Sequence, residues 1–549
     1  MSSIQHFSVD DLISDNPIFS SFRSIIETAF YGNNVTPVSS ISEAYELAYQ
    51  SPGTIVTDIP IHQTAELHLP PESKVLVFND GQIVGRTAAA RKIIGQPTID
   101  ATYYSGILRE AIFNSRNQSF YQGNVVVGLA SAFMIAAHLL IPAGFENNLY
   151  SYLLNFQLMD ALQSETYQQS QAYDEGDLFI YSDPEWSHPD FPYGLTLFDP
   201  EHNVAAVLGL RYFGELKKAT LTLAWAVAHR NGFVACHGGM KQYILPQSQH
   251  TMAVFGLSGS GKSTITLSNH HNQQETKILH DDAFIISKTN GSSIALEPSY
   301  FDKTQDYPMK DDSIKYFLTC QNVGVTLNNN NEKVLLTEDI RNNNGRAIKS
   351  HFTVPNRLNH FNQAIDSICW IMKDESLPPV LKIKDPILAT VFGLTLATKR
   401  TSAENIVSGI DKDALVIEPF ANPFRCYPLS EDYEDFKALF NKENMACYLL
   451  NTGYFNGQKV TPEITLNSIE TIVNETSQFE PFGTFEDISF LPIEGFLPDF
   501  SNPTYLELLK NSFENRLLFL KEMDFLMDGY NSLPKETVDT IQSLINELN

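Results

Sequence analysis

The sequence predicts an α/β protein in two parts, an N-terminal α/β domain over residues 1–231 and a C-terminal domain over 232–549 built around a P-loop mononucleotide site. Three observations carry that expectation. A complete phosphate-loop pattern, Gly256-x4-Gly261-Lys262-Ser263, lies between "TMAVF", which reads as a buried strand, and "STITLS", which reads as the first turn of a helix. Before it, the strand-like runs "KVLVFND", "GLTLFD" and "VAAVLGL" mix with "ELKKATLTLAWAVAH", whose apolar positions recur at helical spacing. From Gly232 onward short apolar strands crowd together ("GFVACH", "QYILP", "TMAVFGL", "TKILHDDAFII"), and "PTYLELLKNSFENRLLFLKEM" and "PKETVDTIQSLINEL" predict a closing pair of helices.

"VVVGLASAFMIAAHLLIPAGF", Val125 to Phe145, is long enough for a bilayer span. It ends in Pro142 and Gly144 and has no Lys or Arg immediately flanking it, so it is expected to be a buried core segment, the strand "NVVVGL" turning into a helix. The tracts "NNNNE" (328–332) and "NNNG" (342–345) predict turns on either side of a short strand, "KVLLTEDI".

With 549 residues, 43% apolar and rich in Phe (36) and Tyr (23), the chain has the composition of a folded globular protein. Its 37 Lys plus Arg against 64 Asp plus Glu, a formal charge of -27, argue against nucleic acid, whose phosphates require a basic surface. A phosphate ligand must therefore meet a local basic site. The five cysteines (236, 320, 369, 426 and 447) are odd in number, scattered and without a CxxC pair, so neither a zinc site nor a disulfide framework is indicated and a reducing, cytoplasmic setting is expected. The start, "MSSIQHFSVDDLISDNP", lacks the basic and apolar regions of a secretory signal.

In a phosphate loop, backbone N–H groups and a helix N-terminus cradle the phosphates, so Gly256, Leu257, Ser258, Gly259, Ser260, Gly261, Lys262, Ser263 and Thr264 are the expected nucleotide contacts. Lys262 would reach the outer phosphate oxygens and the Ser263 hydroxyl would hold Mg2+. Downstream, Asp281 and Asp282 follow an apolar run, where paired carboxylates suit a metal bridging the terminal phosphates or, equally, cap a turn. By themselves Lys217 and Lys218 read as helix-surface lysines and His237 as a core histidine.

The serial order "GELKK", "CHGG", "GLSGSGKST", "HDDA", "LTEDIR", "SLPP", "FANPF" and "YLLNTGYFNGQK" resembles the ATP-dependent phosphoenolpyruvate carboxykinases, from about "VGRTAAARK" to the C-terminal helices. The resemblance implies a substrate-binding N-terminal domain and a nucleotide-binding C-terminal domain with the active site in the cleft between them. It implies that Lys218, His237 and Asp282, with Ser263 on the phosphate side, hold the divalent metal, usually Mn2+, with Mg2+ accompanying ATP. Imidazole and carboxylate suit Mn2+, and a neighbouring cation favours the neutral amine that Lys ligation requires. Arg86 and Arg341 would be the substrate arginines, with Tyr212 beside the acid's carboxylate, Lys217 next to the metal lysine, and Lys303 near the transferring phosphoryl group. Asp281, Glu297 and Arg400 would lie near the nucleotide. The implied reaction is reversible: oxaloacetate loses CO2, and the resulting enolate takes the γ-phosphoryl of ATP to give phosphoenolpyruvate and ADP, a step of gluconeogenesis or anaplerosis.

The sequence departs from the family pattern at several places. "EPSYFDKT" puts Pro298 and Ser299 where glycines are usual, "HDDA" replaces a carboxylate by Ala283, and Gly238, Gly239, Met240 and Lys241 replace Cys-Ser-Ala-Asn after the histidine. "TKRTSAEN" and "TAAARK" are also altered. Two other readings of the same scaffold are a kinase for another acceptor and a nucleotide sensor without turnover, and Cys236 reads either as a packing residue or as a thiol near the metal.

Overall fold

A computed structural model of the chain describes residues 20–79, 88–257, 259–268, 275–308, 311–338, 344–399, 415–443 and 445–548. The chain divides into two compact units, and the division is not the single cut expected at 231. Leu296–Pro355 belongs with Met1–Val227, whereas Ala228–Ala295, Asn356–Thr401 and Asp411–Asn549 form the second unit. Strand pairing gives the reason. Tyr300–Lys303, Arg346–Lys349 and Phe317–Gln321 join Lys74–Phe78 and Thr54–Pro60 in one five-stranded sheet, which draws the later segment back to the first unit.

The first unit also holds an eight-stranded mixed sheet in the order Val35–Val38, Phe120–Ala130, Phe133–Pro142, Leu178–Asp183, Val204–Leu208, Leu195–Asp199 and Arg91–Ile93, with Gln157–Leu158 at its side. Here one expectation is corrected. Phe133–Pro142 is a strand, antiparallel to Phe120–Ala130 with Val125 opposite Ala137, and all ten of its residues are buried. A strand covered on both faces shows no alternation, so its apolar run matches that of a buried helix. Helices Ser21–Ala29 and Ala101–Asn114 pack on this sheet through Phe22, Ile26, Ile107 and Leu108, and their N-termini are capped by Ser20 and Asp100. The run "ELKKATLTLAWAVAH" lies in the 18-residue helix Phe213–Arg230 as expected. Gly324–Leu327 and Lys333–Leu336 form a hairpin around Asn328–Glu332, with Asn331 in the left-handed region at φ 60°.

In the second unit an eight-stranded sheet runs Glu275–His280, Gly239–Ile244, Gln249–Phe255, Ser367–Met372, Ala446–Asn451, Val380–Ile383, Ile488–Phe490 and Glu480–Pro481. Its middle is parallel: Gln249–Phe255 pairs with Ser367–Met372, which pairs with Ala446–Asn451. Chains leaving the carboxyl ends of such strands are where α/β sheets place ligands. A second sheet joins Phe233–His237, Ala283–Ser287, Ser293–Ala295 and His360–Phe361. The closing helices are Pro503–Glu522, capped by Asn502 with proline at its first position, and Lys535–Glu547. Among the described residues no helix is long and apolar enough to cross a membrane, and all five cysteines are free and buried.

Candidate active site

The segment with the phosphate-loop pattern follows strand Gln249–Phe255 and runs into the short helix Lys262–Leu267. Gly259 and Gly261 take φ of 82° and 100°, which side chains other than glycine rarely adopt. At Gly256 a Cβ would sit 2.4 Å from Ser260 Oγ. The loop is also held by two residues the motif does not contain. Thr452 Oγ1 donates to the Ser260 carbonyl at 2.8 Å, and Lys373 Nζ to the Gly259 carbonyl at 3.1 Å. Lys373 immediately follows the parallel strand beside the loop's own, and Thr452 the next parallel strand beyond it. Thr452 lies within "YLLNTGYFNGQK", but nothing local marks it as a loop ligand. Ser258 lies outside the described residues.

Beside the loop, His237 and Asp282 come together because their strands pair antiparallel, with His237 opposite Ala283 and the Gly238 N–H donating to the Asp282 carbonyl at 3.1 Å. The turn at the two aspartates is bound by His280, whose Nδ1 accepts from the N–H groups of Asp282 (3.0 Å) and Ala283 (3.2 Å). Asp282 is thereby left to face the site. Its Oδ1 is 2.9 Å from His237 Nε2 and 3.6 Å from Lys262 Nζ. On its other side His237 Nδ1 is 2.5 Å from the Ala421 carbonyl. A carbonyl only accepts, so Nδ1 carries a proton; with the ring neutral, Nε2 and the carboxylate oxygen are then both acceptors, and their approach calls for a second proton on the ring or a cation held by both. Two converging electron-pair donors of this kind fit a divalent cation, and the Nδ1 hydrogen bond is the orienting contact that metal-binding histidines use. The carbonyl is presented by a strained turn in "FANPF", where Phe420 and Ala421 both have positive φ, 52° and 54°. Asp281 is 5% exposed. Cys236 is fully buried, which pushes its thiol up; it is a packing residue. Ala283, where the family pattern has a carboxylate, lies fully buried in its strand.

The first unit has a group of its own. Tyr212 immediately precedes helix Phe213–Arg230, which carries Lys217 and Lys218 on its early turns. Lys217 Nζ is 2.9 Å from Glu297 Oε1, and both side chains are 0% exposed. Asn155 Nδ2 donates to the other Glu297 oxygen at 2.7 Å. Glu297, assigned to the nucleotide by resemblance, is here the buried partner of Lys217. Half-buried Lys218 has its Nζ 5.7 Å from the Trp225 ring centroid. Ser299, at an altered position, donates to the Leu154 carbonyl at 2.6 Å.

Lys303 ends strand Tyr300–Lys303 and stands opposite Arg346, the first residue of the paired strand. Arg346 is 5% exposed and bonds the side chain of Tyr212, whose hydroxyl burial pushes up while the Arg346 charge pulls it down. Arg346 is not among the residues singled out from the sequence, which names Arg341 in "LTEDIR". What brings Arg346 beside Lys303 is strand register, which one sequence does not display. Arg86, Arg341 and Arg400 lie outside the described residues. Among the described residues no three His, Cys, Asp or Glu side chains cluster as a metal site, and of the expected set only His237 and Asp282 are of those types.

The sequence profile of the ATP-type phosphoenolpyruvate carboxykinase family matches residues 73–486. Among curated proteins, the phosphoenolpyruvate carboxykinase (ATP) of Aeropyrum pernix is 25% identical over 299 residues. That alignment spans 52% of this chain and 59% of the relative's length.

Proposed function

The chain belongs to the ATP-dependent phosphoenolpyruvate carboxykinase family, and we propose that it catalyses the family reaction, converting oxaloacetate and ATP to phosphoenolpyruvate, ADP and CO2. The observation that carries this reading is the convergence of His237 and the phosphate-loop Lys262 on one Asp282 oxygen, which couples a metal-type donor pair to a phosphate cradle. In this reading His237, Asp282, Lys218 and Ser263 hold the divalent ion. When bound, Mn2+ or Mg2+ would supply concentrated positive charge against the oxygens of the acid and the phosphate.

The chain's own residues do the rest. Lys262 and the backbone N–H groups of the loop hold the terminal phosphates in a fixed direction, so that phosphoryl transfer proceeds by alignment and charge stabilisation. Arg346 and Tyr212 bind the acid's carboxylate, since a guanidinium pairs planar carboxylates through two parallel hydrogen bonds. Lys303, opposite Arg346 in the strand pair, compensates charge on the transferring phosphoryl group. Lys217, held by Glu297, fixes the rotation of the helix that carries Lys218. Arg86 and Arg341 remain in the proposal as substrate residues, and Arg400 as a nucleotide contact. The free cysteines accord with a cytoplasmic location.

The test is turnover of purified protein with oxaloacetate, ATP and Mn2+, followed as phosphoenolpyruvate, beside a Lys218→Ala variant and a parallel reaction with GTP. Turnover with ATP that the substitution abolishes supports the proposal. Nucleotide binding without phosphoenolpyruvate would overturn it.

A further inference from the structure

Gly238 to Lys241 depart from the family pattern, and in the structure Gly239 and Lys241 face the same partner. At Gly239 a Cβ would lie 2.0 Å from Thr266 Oγ1 and 3.1 Å from Thr266 Cβ, so the phosphate-loop helix rests on this strand at a distance only glycine permits. Two residues on, and so on the same face of the strand, Lys241 extends toward the end of that helix. Its Nζ donates to the Ile265 carbonyl at 3.3 Å, to the Ser268 carbonyl, and to Ser268 Oγ at 3.4 Å. An ammonium has three protons, and these are three acceptors. Two are carbonyls at the helix C-terminus, where the backbone lacks intrahelical donors and the helix dipole is negative. Lys241 is 2% exposed and forms no ion pair among the described residues. Glu470, in helix Pro462–Val473, is the charge that acts on it, and the Tyr243 ring centroid lies 5.3 Å from its Nζ. The helix it holds has six residues, too few to persist without outside contacts, and its first two are Lys262 and Ser263.

We propose that Lys241 is a positioning residue for the phosphate loop: as an ammonium it pins the C-terminal end of the loop's helix and so holds Lys262 and Ser263 in place for nucleotide phosphates, and as a neutral amine it loosens that hold. The proposal rests on the nucleotide-binding reading of the loop. Burial pushes the Lys241 ammonium down to about 7, against the opposing influence of Glu470, so the pin changes charge within the ordinary pH range. Below that value three donors face three acceptors; above it the amine retains two donors and turns a lone pair toward a carbonyl. The contribution of Lys241 to nucleotide affinity is therefore present at low pH and lost as pH rises. Its effect on stability has the opposite sign. A lysine with a depressed native value binds its proton more weakly than the unfolded chain does, so the charged form costs stability, fully below pH 7 and not at all above about 10.5.

The experiment is calorimetric titration with Mg-ADP from pH 6 to 8.5 for the unaltered protein and Lys241→Met, which has similar volume and no charge, together with thermal unfolding of both. Expected is about tenfold tighter binding by the unaltered protein at pH 6, a difference that closes by pH 8.5, with the variant no less stable at pH 6. Equal affinities at every pH, or a constant ratio, would overturn the proposal while leaving the nucleotide reading standing. No Mg-ADP binding by the unaltered protein at any pH would overturn both. Should Lys241→Met fail to fold, Ser268→Ala removes one acceptor and should weaken binding at pH 6 more than at pH 8.5; no such difference would also overturn it.

Discussion

Arg516 Nη2 lies 2.7 Å from Asp374 Oδ2 in the interior of the second unit, and it ties a helix beyond residue 486, where the family match ends, to the turn beside the phosphate loop. Lys373, which donates to the Gly259 carbonyl, is the residue immediately before Asp374. Ser376 and Ser512 donate to the two oxygens of the same carboxylate at 2.6 Å each. Removing the guanidinium by Arg516→Met leaves a buried carboxylate without its counter-charge, at a cost of about 3–5 kcal/mol. Urea unfolding at pH 7 should show that loss. Burial pushes the Asp374 carboxyl up, but Arg516 and the hydroxyl groups more than offset this and hold it below its ordinary range. A depressed carboxyl contributes stability above its unfolded value, and that stability is lost as pH falls through the native value. The acid-unfolding midpoint of Arg516→Met should accordingly move to higher pH.

The Lys217–Glu297 pair in the first unit has the same logic with no solvent access at all. Glu297→Gln should destabilise by about 3–5 kcal/mol because it strands an ammonium in the core. Lys217→Met with Glu297→Leu should be closer to the unaltered protein than Glu297→Gln is. Chemical denaturation of the three proteins checks this, and a double variant as unstable as the single one would count against a charge-pair explanation.

Gly239→Ala places a methyl group against Thr266 and should push the phosphate-loop helix outward, at about 1–3 kcal/mol of overpacking. Mg-ADP affinity should fall. Adding Thr266→Ala removes the nearest atom and should restore most of the affinity, a coupling that titration of the two single variants and the double variant measures.

Arg346 gives a prediction that separates binding from chemistry. Arg346→Ala should lower kcat/KM for the acid substrate by about 10²-fold or more while leaving Mg-ADP affinity unchanged, because in the proposed reading it pairs, beside Tyr212, with the acid's carboxylate and not with the nucleotide. Arg346→Lys should not restore activity, since a single ammonium cannot reproduce paired guanidinium bonds. Steady-state kinetics of both, beside Arg341→Ala, decide which arginine carries the role.

The sequence by itself determined what is written in contiguous residues. The phosphate-loop pattern was legible because its glycines, lysine and hydroxyl all fall between Gly256 and Ser263, and the helix Phe213–Arg230 because its period is local. The serial order of motifs was legible in the same way and led to the family. Tertiary structure alone decided the rest. Phe133–Pro142 is a strand because sheet neighbours cover both its faces, a condition no local pattern records. Arg346 faces Lys303, His237 meets Asp282, and Lys241 ends under Ser268 because strand register and helix packing bring distant residues together. Spacing along a chain conveys the chemistry of one segment; which segments share a hydrogen-bond ladder or a packed face is set by pairing across long stretches of chain, and that exists only in the folded protein.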